Sequence, residues 1–246
     1  MSSQRAHREG MKLLLASDPV ALPRDAPAVH QVSTALLAWF AVQGHHFSWR
    51  RDRAPFHVLV AEVLLRKTEA EAVERFLPAF LERYPTPDEL AVADGEQLAT
   101  MLAPLGLSRQ RAKQLRALAE RLVQVFGAEV PGTLPELLSL PGVGAYTAGI
   151  LAATCTGSAV PAVDTNVARV LCRVFGLIPS HAEARKSTNV WSLAGMLVRT
   201  RPELAVQLTW AVLDLAKSTC TAQRPKCGTC PLQAYCRYAR LEGCQG

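Results

Sequence analysis

Four cysteines crowd the C-terminal end of this 246-residue chain: Cys220, Cys227, Cys230 and Cys236, in the spacing C-x6-C-x2-C-x5-C. A run this short can close around one metal centre with little help from the rest of the fold, so it predicts a compact, ligated loop. Structural zinc sites usually pair two separated C-x2-C knuckles, whereas three unequal gaps here wrap a single loop. Thiolate ligation suits an iron–sulfur cluster as well as zinc, and the spacing alone leaves both open. Arg224 and Lys226 lie inside the loop, next to the stiffening Pro225 and Pro231. Disulfides are the weaker reading, because Cys155, Cys172 and Cys244 are scattered and nothing in the sequence points to export.

An apolar content of 49% is ample for a packed core, in one large domain or two smaller ones. Aromatic residues are few and Leu and Ala dominate, which favours helix over sheet. No apolar run approaches the ~18 residues that a membrane-spanning helix needs, and the stretch from Met11 to Ala16 is too short for a secretory signal. The expectation is a reduced, cytoplasmic protein, nucleoid-associated in a prokaryote. A net charge of +6 is compatible with a polyanionic partner and is a weak cue by itself.

Along the chain, residues 1–28 carry Pro19, Pro23 and Pro27 without helical periodicity and read as a flexible extension. Val29 to Gln43 has a helical apolar period that ends at Gly44, and His45 to Pro55 is polar and turn-rich. His57 to Arg83 reads as two helices. A turn at Pro85–Asp88 opens a helix running to Ala103, and Ser108 caps a basic helix reaching Phe126. Thr133–Glu136 starts a further helix with proline in its first turn, where the missing N–H is harmless. No strand is needed anywhere, and the fold class is all-α.

Two segments carry the chemistry. Leu140-Pro141-Gly142-Val143-Gly144 separates two helical stretches, and the free amides at the start of the second can hold a phosphate oxygen. Such contacts position DNA without reading its sequence. Further on, Asp164 heads a helix carrying Val167, Val170 and Leu171. By itself this is an ordinary N-cap. The same geometry favours an ionised carboxylate, through the amides and the helix dipole. Glu62 interrupts the apolar run from Val58 to Leu65 and must be paired, protonated or turned into a pocket. Arg109, Arg111, Lys113 and Arg116 read as a solvated helix face, a phosphate track, or both.

Taken together, the L-P-G-V-G hairpin, the aspartate heading the next helix and the cysteine loop resemble the helix-hairpin-helix DNA glycosylases of the endonuclease III superfamily, from about Trp39 to Cys236. The resemblance implies two helical lobes with a cleft between them. One is a six-helix barrel over residues 48–156 that ends in the hairpin. The other is a discontinuous lobe of residues 29–47 and 157–246 holding the iron–sulfur loop 220–236. It selects a 4Fe–4S cluster over zinc, ligated by Cys220, Cys227, Cys230 and Cys236. It also implies contact with the DNA backbone through Gly142, Val143 and Gly144, and entry of Arg66, Lys67, Thr68 and Leu107 into the duplex, where they fill the space of a flipped base.

Bifunctional members of the family carry a lysine shortly after the hairpin glycines, which attacks the sugar to form a Schiff base. Tyr146 stands there in this chain, which implies a monofunctional enzyme in base excision repair. With the Glu62–Thr68 and Gly106–Ala112 segments, that tyrosine is most similar to the mismatch-specific thymine glycosylases, close relatives of MutY-type adenine glycosylases. The further C-terminal domain of MutY-type enzymes is expected to be absent, since the sequence runs only ten residues past Cys236. The implied catalytic residues are Asp164, stabilising the sugar cation and orienting water; Glu62, bonding or protonating the departing base; and Tyr146, against the flipped nucleotide. The partner is double-stranded DNA with a mismatched or damaged base, bound by a monomer with no membrane involved. The rival readings are an adenine or uracil glycosylase and a non-catalytic mismatch-binding module.

Overall fold

The computed structural model describes residues 2–17, 20–177 and 183–242. Its helices are α1 (Ser2–Leu14), α2 (Val29–Gln43), α3 (Ser48–Asp52), α4 (Pro55–Leu64), α5 (Ala70–Arg83), α6 (Pro87–Ala91), α7 (Gly95–Leu102), α8 (Ser108–Phe126), α9 (Leu134–Ser139), α10 (Ala145–Cys155), α11 (Thr165–Phe175), α12 (Thr188–Arg199), α13 (Ala205–Ser218) and α14 (Arg237–Glu242). No strand occurs among the described residues, and the chain is all-α. None of the described helices is long and apolar enough to cross a membrane. The chain divides into two compact units, Met1–His45 with Thr156–Gly246, and His46–Cys155.

In the contiguous unit, α4 is apolar apart from His57 and the buried Glu62. Every residue from Val58 to Leu64 is buried, and the helix packs against α3, α5, α8 and α10. Pro55 starts it without loss, because a first-turn residue has no N–H bond to give up. The single helix predicted from Asp88 to Ala103 is two. Thr86 and Glu89 close a capping box on α6, while the Asp94 carboxylate accepts from the amides of Glu96 and Gln97 (3.1 and 2.9 Å) and starts α7 afresh. Both short helices lie on α8. Ser108 is the first helical residue of α8 rather than its cap; that place belongs to Leu107. The turn-rich stretch before Pro55 also differs from its reading. It contains the one-turn α3, with Phe47 and Trp49 buried in a stacked pair 4.6 Å apart.

In the discontinuous unit, α2, α11, α12 and α13 pack on one another. α11 turns Val167, Ala168, Val170, Leu171, Val174 and Phe175 inward at helical spacing. The expectation of a flexible extension over residues 1–28 is corrected here. Ser2–Leu14 is helical and packs on α12, because Gly10, Leu13 and Leu14 form one buried stripe. Asp25 is also held, its carboxylate accepting from Arg237 Nε at 3.0 Å and its carbonyl from Arg240 at 2.7 Å. Both arginines belong to α14.

Candidate active site and cluster loop

In the contiguous unit three loops are tied together: residues 65–69 after α4, residues 105–107 before α8, and the hairpin 140–144 between α9 and α10. The Arg66 side chain reaches back from the first to the third, its Nη2 donating to the Gly142 carbonyl at 2.7 Å. Arg66 is thereby tied to the hairpin. Burial pushes its guanidinium below the ordinary arginine value, and the charge of Glu62, one turn earlier, pulls it partly back. Glu62 itself is only 6% exposed, on a helix that packs directly on α10. Tyr146 is half-buried at the second position of α10.

The hairpin owes its shape to Gly142. Its φ of 77° is left-handed, and a Cβ there would meet the Gln114 amide nitrogen at 2.2 Å. Val143 is buried, so its side chain anchors the turn and only its backbone can serve a ligand. Gly142 and Gly144 are exposed, and the amides of Gly144 and Ala145 carry no hydrogen bond among the described residues. Two further residues project outward from left-handed backbone, Lys67 (φ 55°) and Leu107 (φ 50°). Leu107 is a large apolar side chain left 50% exposed. Arg111, read from sequence as part of a solvated helix face or a phosphate track, is instead buried on the apolar stripe of α8. Its Nη2 donates to the Arg66 carbonyl and the Thr68 hydroxyl, both at 2.6 Å.

In the other unit Asp164 is the N-cap of α11. Oδ1 accepts from the Val167 amide at 2.7 Å and Oδ2 from the Asn166 side chain at 2.8 Å, so both carboxylate oxygens are oriented. The chain of bonds continues. Arg169 donates to Asn166 Oδ1 (3.0 Å), to the Cys220 carbonyl (3.0 Å) and to the Ala216 carbonyl (2.9 Å). One turn on, Arg173 donates to the carbonyls of Thr221 and Ala222 (2.7 and 2.8 Å) and lies 3.4 Å from the Cys220 sulfur. Its guanidinium also covers the Tyr238 ring. α11 therefore presents the aspartate at its head and grips the cysteine loop along its flank.

Cys220, Cys227, Cys230 and Cys236 line one small pocket, walled by Val170, Val174, Leu215 and Leu232 among others. Cys220, Cys230 and Cys236 are free thiols. Burial pushes the Cys230 thiol up to about 11, with the charges of Cys220 and Cys236 adding to the rise. Thiolates gathered in an apolar cavity repel one another and need a cationic core to form. Four cysteine sulfurs around one pocket, with no nitrogen or oxygen ligand needed, fit a cluster held by one cysteine per iron.

Residues 60–193 match the HhH-GPD superfamily of base excision DNA repair proteins. The chain belongs to that family. Residues 220–236 match the iron–sulfur binding domain of endonuclease III, which assigns the four cysteines to a 4Fe–4S cluster. The superfamily match takes in Glu62, Arg66–Thr68, Leu107, the hairpin, Tyr146 and Asp164. A thymine-DNA glycosylase of Aeropyrum pernix is 38% identical over 87% of this chain and 96% of its own length. The human adenine DNA glycosylase is 34% identical over 87% of this chain but only 40% of its own length. The solved structure of a thermostable thymine-DNA glycosylase superposes with a TM-score of 0.80 at 28% identity, covering 86% of this chain and 97% of that one.

Within this superfamily member, the sequence reading had not singled out Asn166, Arg169 or Arg173. Their signal was present: two arginines four residues apart on a helix whose other face is wholly apolar, shortly before a cysteine loop that needs its carbonyls met. Cys244 lies outside the described residues.

Proposed function

We propose that this protein is a monofunctional DNA glycosylase that hydrolyses the N-glycosidic bond of thymine, or uracil, mispaired with guanine in double-stranded DNA, acting as a monomer. The observation that carries the proposal is the Asp164 carboxylate, fixed through both oxygens at the head of α11. A carboxylate so oriented stabilises the oxocarbenium-like charge on the sugar and directs water to it. Glu62 bonds or protonates the leaving base, and Tyr146 packs against the flipped nucleotide without supplying an amine. The hairpin amides hold backbone phosphate, while Lys67 and Leu107 occupy the space the base vacates. The cysteines hold a cluster that supports the loop gripped by α11.

The base is chosen on the thymine-DNA glycosylase relative, matched over nearly its whole length. Adenine is the second reading, favoured by the 34% identity to the human adenine enzyme. Duplexes bearing G·T, G·U, adenine opposite 8-oxoguanine, or matched pairs, treated with alkali after incubation, separate the two. Strand breaks at G·T and G·U, abolished by Asp164→Asn with binding retained, are expected. Clean adenine release with no thymine release moves the assignment to adenine, and no release from any duplex defeats the glycosylase reading.

A further inference from the structure

We propose that Arg111 is a positioning residue that holds segments 66–68 and 105–107 in one register, so that Lys67 and Leu107 enter a duplex together; the duplex part rests on the function proposed above. Arg111 is 3% exposed, yet no carboxylate pairs with it among the described residues. Its charge is met by neutral oxygens of the first segment, the Arg66 carbonyl and the Thr68 hydroxyl. The Thr68 hydroxyl that it meets lies 3.5 Å from the Leu105 carbonyl oxygen, so the link to the second segment runs from the Arg111 side chain through Thr68.

Two features separate this from ordinary packing. The buried Nη1 has no acceptor among the described residues, so the arrangement keeps an unpaired cationic donor on the otherwise apolar stripe of α8. Both segments also place a non-glycine residue in left-handed backbone at their most exposed point, Lys67 and Leu107. That conformation persists only where neighbours enforce it. Arg111 is the side chain that bonds the residues on either side of Lys67, and through Thr68 it reaches the segment that carries Leu107. Through Arg66 the restraint extends to the hairpin carbonyl of Gly142.

The test compares the iron-loaded wild-type protein with Arg111→Met and, as a milder lesion, Thr68→Val. The first arm measures amide hydrogen exchange without DNA. Exchange at 66–68 and 105–108 should rise together by about tenfold or more in Arg111→Met, and by less in Thr68→Val, with the buried middle of α8 unchanged. The second arm places 2-aminopurine beside a G·T mismatch and follows its fluorescence together with single-turnover base release. Both should fall by about tenfold or more, while affinity for matched duplex stays within about twofold, and the double variant should be no worse than Arg111→Met. Exchange that stays at wild-type rates in both variants, or rises in one segment only, overturns the proposal whatever the substrate proves to be. So does a variant that merely melts earlier while its fluorescence and turnover match wild type. If the wild-type protein acts on adenine instead, the exchange arm still decides the role of Arg111, and only the assignment of the base falls.

Discussion

In the function proposed above, a phenol at position 146 leaves water as the nucleophile, because it supplies no amine to attack the sugar. Borohydride should therefore trap no covalent complex with wild-type protein, and an efficient adduct lost on mutating a lysine would contradict the assignment. Tyr146→Lys should yield a trappable adduct, detected as a slower band on a denaturing gel. Gly142→Ala tests the hairpin. Left-handed backbone at a non-glycine residue costs about 1–2 kcal/mol, and the added methyl also meets Gln114, which must move. The expected result is a lower melting temperature and weaker binding to every duplex, matched or not, with the clash relieved in part by Gln114→Ala. These positions were legible from sequence because their chemistry is local. Arg111 was not, because a charged residue ordinarily signals exposure and its partners lie 45 and 43 residues away.

α11 joins two tasks along one helix, and its polar flank makes that dependence measurable. Arg169→Met leaves the Cys220 and Ala216 carbonyls without their donor and Asn166 without its anchor. Turnover should fall by more than affinity, with iron content retained, since Asp164 keeps its amide bond but loses the brace on Asn166. At another element, Thr86→Ala removes the capping box of α6 and should cost about 1 kcal/mol by denaturant titration, leaving base release unaltered. Element boundaries were readable where a helix carries its own signals, as in α2, which runs from Val29 to Gln43 as its period predicts. The break between α6 and α7 was missed because both flanks are helix-forming and the stop depends on one carboxylate, that of Asp94. α3 is too short for any period to show, and α1 buries its stripe against α12, a partner far along the chain.

At the scale of the whole molecule, the cysteine loop ties a long-range unit together, and its cofactor is a point of failure. Chelation of iron under reducing conditions should expose residues 220–242 to protease, while a fragment near His46–Cys155 survives, followed by mass spectrometry of the cleavage products. Intact cysteine-loop peptides after chelation would show that the cluster is not needed for local order. The loop announced itself in the sequence because its ligands are contiguous, whereas the partners of residues 20–28 could not be read, since Asp25 pairs with Arg237 from the opposite end of the chain. That closure has a consequence for synthesis. The His46–Cys155 unit is continuous, so its contacts are all available once Cys155 has left the ribosome. α2 emerges before that unit yet packs on α13, and Asp25 waits for Arg237. Segments made before the continuous unit thus find their partners only after it, and in that interval the face α2 turns to α13 is uncovered.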